Sequence, residues 1–395
     1  MLKNLCTKDE VEKILFEIWE KTSMEKFLEQ YIDWAKERNW KILYEFSVDN
    51  ADVVVVGDLH GHFAAMRAAF RVWLGRVATN PTTRLVFLGD FVDRGRRDVE
   101  TAIAIMALQM WMNGPVVVLR GNHENDQRSG GSSWTFARSL SRTFSGFKTS
   151  GLWDLFVNAF WKLPAAAIMT RGSQRYLMLH GGWTNEVLQG DSIRLLKETP
   201  LSTLKRLELD QLRRWRPSKL QGNSRKLLIR SVRSRIRSQP KETDKERVAR
   251  QQQEVAQRLI KDLVWSDVMH QNIKGKYGKS ERGDEIATYG YEAIEDMFKA
   301  LKVDWCISGH KHENLLWMPA KGISKGHVVV VSADNLRPDQ SAKVVVIETK
   351  NPLGRVCCCR KDKIKDKSPT ETKCEYRFTE KMCCKYKAGS KCTGF

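Results

Sequence analysis

Residues 52–62 read DVVVVGDLHGH. Four consecutive valines between polar residues suit a short strand buried on both faces. A glycine stops the run. Asp58 and His60 follow, two residues apart, so both can reach one point beyond the strand's end. The same grammar recurs at RLVFLGDFVDRG (84–95), VVVLRGNHE (116–124), YLMLHGG (176–182), VDWCISGHKH (303–312), VVVVSADN (328–335) and KVVVIET (343–349). Between the first three runs lie stretches with helical apolar faces, 63–74 and 98–112. Strand, helix, strand, helix, strand implies an α/β fold with a parallel sheet. Ligands of such sheets gather just past the carboxyl ends of the strands. The polar clusters fall at those ends.

Around this centre the chain divides into three parts, one of which carries an insertion. It has 395 residues, 42% hydrophobic, enough for a substantial core and for roughly two or three domains of 100–200 residues each. In residues 1–50, Leu15, Ile18, Trp19, Phe27, Tyr31 and Trp34 recur at spacings near three and four, which predicts a helical N-terminal extension. The body runs over 51–350 and includes a mostly helical, aromatic stretch at 134–162. Within it, 190–262 is a basic, helical insertion, broken near 216–224 and 237–243 and closed by a helix over 245–265. The last part, 351–395, alternates Lys, Cys and polar residues without periodicity and is expected to be disordered.

Charge follows the same division. The net charge is +20. Residues 203–261 hold 18 Lys/Arg against 6 Asp/Glu, and residues 350–395 hold 13 against 5, so the rest of the chain sums to zero. A neutral body with two basic attachments is not a uniformly basic nucleic-acid binder. The attachments instead point to partners: an acidic protein, RNA or an anionic membrane surface. No apolar run approaches the roughly 18–20 residues of a membrane helix. The opening residues carry charges where a secretory leader needs its apolar stretch. Seven of the nine cysteines sit in the tail, several of them adjacent to one another, a poor framework for disulfides. These features predict a cytoplasmic protein. S-acylation of the tail cysteines would bring it to a membrane, and a nuclear location is the other alternative.

The strand-end residues are oxygen and imidazole donors without thiolate: Asp58, His60, Asp90, Asn122, His180 and His310. That set suits Mn²⁺, Fe²⁺ or Zn²⁺ better than a structural cysteine-type zinc site. One carboxylate shared by two ions would hold them about 3.5–4 Å apart, as in two-metal hydrolases.

GDLHG (57–61), GDFVDRG (89–95) and RGNHE (120–124) resemble the signature of the calcineurin-like metallophosphoesterases, and in particular the phosphoprotein phosphatase family of Ser/Thr phosphatases. HGG (180–182), LVWSD (263–267), SERGDEIATYG (280–290), GH (309–310) and SADN (332–335) continue the resemblance in order. It implies two central β-sheets flanked by helices, an αββα sandwich, with 51–350 as the catalytic domain. It also implies a metal-dependent protein serine/threonine phosphatase holding two divalent ions, Mn²⁺ foremost, with Fe or Zn as alternatives. Carried over residue by residue, Asp58 and His60 bind the first metal, Asp90 bridges both, and Asn122, His180 and His310 bind the second. His123 protonates the leaving alkoxide, oriented by Asp93. Arg94 and Arg282 clamp the phosphate, a role that suits the planar guanidinium fork. Glu124 orients the neighbouring loop.

Some positions depart from the family pattern. His62 replaces the usual Gln after the first motif, and Asp334 and Leu336 replace a Pro and a Tyr near the end. GHKH, in place of Ala-His-Gln, makes His312 a candidate extra ligand to the first metal. A nucleotide-cleaving relative, acting on diadenosine tetraphosphate or an RNA cap, is the alternative function. Such relatives usually alter the Asp93–Arg94 pair, which is intact here and favours phosphoprotein substrates. An inactive scaffold is disfavoured by the full ligand set.

Overall fold

The valines at 53–56 form a strand in the computed structural model, all four with no exposed surface. The structure describes residues 24–125, 135–144, 149–204, 243–268, 277–280, 283–310, 316–317, 326–329, 342–348, 351–359 and 376–377. In chain order the first half comprises α1 (Met24–Glu37), β1 (Leu43–Ser47), β2 (Val53–Val56), α2 (Phe63–Thr79), β3 (Arg84–Phe87), α3 (Asp98–Met112), β4 (Val116–Val118), α4 (Asn122–Asn125), α5 (Phe136–Thr143) and α6 (Thr149–Phe160). The second half comprises β5 (Ala166–Arg171), β6 (Gln174–Leu179), α7 (Gly190–Glu198), α8 (Asp244–Trp265), β7 (Asp267–Val268), β8 (Tyr277–Ser280), β9 (Gly283–Tyr289), α9 (Tyr291–Leu301), β10 (Trp305–Ser308), β11 (Leu316–Trp317), β12 (Gly326–Val329), β13 (Ala342–Glu348), β14 (Asn351–Cys359) and β15 (Tyr376–Arg377).

The expected parallel unit is present: β2 pairs with β3, and β3 with β4, all parallel. The first sheet has the order β15-β14-β13-β2-β3-β4, and the second β1-β5-β6-β10-β12-β11. Side chains alternate across a strand, and the two faces of β2 enter different cores. Val53 and Val55 join Val86, Val345 and Ile347 against Ala167, Met169, Tyr176, Met178, Trp305 and Ile307 of the second sheet. Val54 and Val56 join Leu85 and Phe87 against the helices α1, α2, α3, α5 and α6. The outer face of the second sheet, with Ile168, Leu177 and Cys306, packs on α8 and α9. Helix, sheet, sheet, helix is the predicted αββα sandwich. Each fully buried valine contributes roughly 1.5–3 kcal/mol over exposure, which is why the short runs hold as strands.

Two expectations need correction. The N-terminal stretch is not helical throughout: α1 ends at Glu37, and Leu43–Ser47 is an edge strand paired parallel with Ala166–Thr170. Glu45 and Ser47 are exposed while Tyr44 and Phe46, on the other face, are half-buried against the core between the sheets, the period-2 signature of a half-covered strand. Residues 1–23 lie outside the described residues. Nor does the sheet stop at 350. Asn351–Cys359 pairs antiparallel with β13, Val356 opposite Val345, and Tyr376–Arg377 pairs with it in turn. The β-compatible run RVCCC serves a sheet edge that otherwise exposes β13's backbone.

The insertion returns to the body through α8, as expected. Thr243 and Glu246 close a capping box at its start, each side chain bonded to the other's backbone N–H. The basic stretch 205–242 lies outside the described residues. Among the described residues no helix is long and apolar enough to cross a membrane.

Candidate metal centre

The strand ends of both sheets meet at one place. Asp58 follows β2, Asp90 follows β3, Asn122 and His123 follow β4, His180 follows β6 and His310 follows β10. All six are at most 2% exposed, as are His60 and Asp93. The turns that carry them are strained. His60, Asp90, Asp93, Arg94 and His310 all have left-handed backbone, with φ from 44° to 69°. Each such non-glycine residue costs about 1–2 kcal/mol and persists only where neighbours hold it.

The neighbours are identifiable. Asp90's carbonyl accepts from the N–H groups of Leu59 and His60, at 2.9 and 2.8 Å. Glu124 accepts from the N–H groups of Asp90, Phe91, Val92 and Gly121, so it ties the second motif to the third as expected. Burial and the Asp90 charge push its carboxyl up to about 7, against those backbone bonds. Gly89, at φ +100°, lies so close to the Gly121 backbone that a side chain there would collide with it.

Two donor groups share Asp90. In the second group, His180 Nε2 lies 2.9 Å from Asn122 Oδ1, 3.2 Å from Asp90 Oδ2 and 3.2 Å from His310 Nδ1. In the first, His60 Nε2 lies 3.8 Å from Asp58 Oδ2 and 3.7 Å from Asp90 Oδ2. His60 Nδ1 is 3.1 Å from the Val92 carbonyl. A carbonyl can only accept, so Nδ1 carries the proton and Nε2 turns its lone pair toward the carboxylates. This is the usual way a metal-ligating imidazole is oriented. Ligand atoms of Asp90, His180 and His310 lie within 4.8 Å of one another, as do those of His60, Asp90 and His123. Buried oxygen and imidazole donors gathered this closely fit divalent ions.

The charges are interlocked. Burial opposes ionisation of Asp90, but His180, His123 and His60 outweigh it and hold the carboxyl well below the usual range. Burial likewise acts to lower His180, yet Asp90 and Asp58 raise it to about 9. His60 is pushed well down, by burial first, with Asp90 compensating in part.

His123 stands at the rim of the pair. Its Nδ1 is 2.8 Å from Asp93 Oδ2, and its Nε2 is 3.2 Å from an Arg94 guanidinium nitrogen. Arg94 can only donate, so here the imidazole is neutral with its proton on Nδ1. Burial works against protonation, but Asp90 and Asp93 prevail and raise the His123 pKa. Of the predicted site residues, Asp58, His60, Asp90, Asp93, Arg94, Asn122, His123, His180 and His310 are brought together. Arg282 and His312 lie outside the described residues. Asp267, which its sequence position alone does not mark out as part of the site, places Oδ1 3.6 Å from His310 Nε2. The LVWSD block was its signal. Trp265, in the same block, sets its ring edge-on to His310 at 5.8 Å between centroids.

A family model described as calcineurin-like phosphoesterase matches residues 51–314, more than half of the chain. The chain belongs to this family. The calcineurin-like phosphoesterases are metal-dependent hydrolases of phosphate esters, in keeping with the donor groups just described. A candidate serine/threonine-protein phosphatase of Caenorhabditis elegans is 33% identical over 151 residues, 36% of this chain and 36% of that protein. The match thus spans about a third of the relative. Among solved structures, a Saccharomyces cerevisiae serine/threonine phosphatase with similarity to human phosphatase PP5 matches with a TM-score of 0.57 and 15% identity. That likeness covers 88% of this chain and 96% of the other, and it shows the fold. A cold-active protein-tyrosine phosphatase of Shewanella matches with a TM-score of 0.43 at 15% identity, over 82% of this chain and 81% of the other.

Proposed function

We propose that this calcineurin-like phosphoesterase is a two-metal protein serine/threonine phosphatase. The observation that carries the reading is Asp90 Oδ2, 3.2 Å from His180 and 3.7 Å from His60, common to both donor groups. Asp58, His60 and Asp90 would hold one ion, and Asp90, Asn122, His180 and His310 the other, with Mn²⁺ as the first expectation. Two divalent ions, when bound, supply Lewis-acid polarisation of the phosphoryl group and a water acidic enough to ionise near neutral pH.

The chain's own residues do the rest. Arg94 binds the phosphate oxygens, where its fork is worth more in a water-poor site than in solution. It leaves His123 Nε2 to do so, and the imidazole then takes up a second proton. Asp93 keeps Nδ1 as the donor on its own side, so Nε2 faces the substrate and gives its proton to the departing serine or threonine oxygen. Water adds its oxygen to phosphorus in line as the P–O bond to the serine or threonine oxygen breaks; that oxygen takes the His123 proton and leaves as an alcohol, and His123 returns to its neutral form. The intact Asp93–Arg94 pair and the likeness to named serine/threonine phosphatases support a phosphoprotein substrate.

Phosphate release with Mn²⁺ tests the reading, comparing a phosphothreonine peptide with diadenosine tetraphosphate and using Asp90→Asn as the blank. Fast release from the peptide alone is expected. Fast cleavage of the dinucleotide alone would replace this reading with nucleotide hydrolysis.

A further inference from the structure

Thr135 occupies the N-cap of α5, and threonine is among the residues that cap helices well. Yet its hydroxyl makes no bond to the first turn. It is used elsewhere: Oγ1 accepts the Arg94 N–H at 2.8 Å and donates to Asp98 Oδ2 at 3.0 Å. Asp98 is fully buried, at the start of α3, and the same Oδ2 accepts a second hydroxyl, that of Ser139, at 2.9 Å. One residue past Thr135, the Phe136 N–H donates to Asp93 Oδ1 at 2.7 Å. The start of one helix therefore holds two successive left-handed residues, Asp93 (φ 68°) and Arg94 (φ 67°). Asp98 also abuts the first motif: a side chain at Gly61, φ 64°, would collide with its Oδ1.

We propose that Thr135, anchored by Asp98, is a positioning residue for Arg94. It fixes the strained backbone from which the guanidinium reaches phosphate. The inference rests on the reading of Arg94 as the phosphate clamp. The position needs a hydroxyl, because the group must accept from an N–H and donate to a carboxylate at once. Valine has the shape of threonine and can do neither, whereas serine can do both.

The test uses the full chain as wild type, Thr135→Val, Thr135→Ser, Arg94→Ala and the Arg94→Ala/Thr135→Val double variant. Two quantities are read: kcat and KM on an aryl phosphate with Mn²⁺, and binding of inorganic phosphate by calorimetry. Thr135→Val should lose about tenfold in kcat/KM and weaken phosphate binding in parallel, a loss typical of a displaced binding group. Thr135→Ser should restore most of it. In the Arg94→Ala background Thr135→Val should change nothing further, since the group it positions is gone. Two results would overturn the inference alone: an unimpaired Thr135→Val beside an impaired Arg94→Ala, or an equal loss in both backgrounds. A wild-type chain that neither hydrolyses nor binds phosphate would overturn the clamp reading and the inference together. Should Thr135→Val fail to fold, Ser139→Ala loosens the Asp98 anchor without touching Thr135. A threefold or so loss that vanishes with Arg94→Ala is then expected, and an unchanged rate overturns the proposal.

Discussion

His123 gives the sharpest residue-scale prediction. Its two nitrogens face Asp93 and Arg94, an arrangement that suits a proton donor and not only a structural contact. His123→Gln should lower kcat on a phosphoserine peptide by about 10²–10⁴. On an aryl phosphate whose phenolate leaves without a proton, the loss should be much smaller. Equal losses on both substrates would remove His123 from the proton-transfer role. Asp98 gives a prediction about pH. Burial first, then Asp93 and Glu100, push its carboxyl up to about 7 against the hydroxyl bonds of Ser139 and Thr135. An unfolded aspartate titrates near roughly 3.9. Between about pH 4 and 7 the native state therefore keeps a proton that the unfolded chain has lost, and Asp98's contribution falls as pH rises through that window. Glu124, also raised to about 7, acts in the same sense but is present in both proteins of the comparison. Urea unfolding at several pH values should find the decline from pH 4 to 7 flatter in Asp98→Asn, and parallel curves would mean that native Asp98 is ionised. The candidate ligand positions were legible because each sits within four residues of a strand's end, where local sequence sets geometry. Thr135 was not. A threonine before a helix reads as a cap, and its actual partners, Arg94 and Asp98, are 41 and 37 residues away.

At the scale of elements, the βαβαβ unit was legible because short β-branched apolar runs stopped by turn residues suit strands buried on both faces. The edge strands β1 and β14 were not. Leu43–Ser47 is short, half exposed and preceded by a helix whose aromatic spacing dominates the window. Asn351–Cys359 lies in a lysine- and cysteine-rich stretch whose composition hides a pairing supplied by β13. Helix α1 shows how the N-terminal part is held. Tyr31 is fully buried and donates to Gln109 Oε1 of α3 at 2.6 Å, with Gln109 itself 1% exposed. Tyr31→Phe keeps the ring and orphans that amide oxygen, which should cost about 1–3 kcal/mol. A lower denaturation midpoint with unchanged kcat is the expected result. An unchanged midpoint would mean that the bond is replaced by solvent.

At the scale of the whole molecule, the two sheets share one core and one site. Asp58, Asp90 and Asn122 come from the first sheet, His180 and His310 from the second. Ions bound between them would act on the native state alone, each adding about 2.7 kcal/mol when present at a hundred times its dissociation constant. Chelation should lower the thermal midpoint by several degrees, and Mn²⁺ should restore it in wild type but not in Asp90→Asn. A midpoint indifferent to chelator would mean that the donor groups hold no ion. The pairing of β14 on β13 has a different kind of consequence. Ala342–Glu348 reads AKVVVIE, apolar and β-branched at its centre, the composition that self-associates when its edge is bare. A chain cut before residue 351 would keep every residue assigned to the site and yet offer neighbouring copies a template for strand addition. What the start of the tail protects is solubility in a crowded solution.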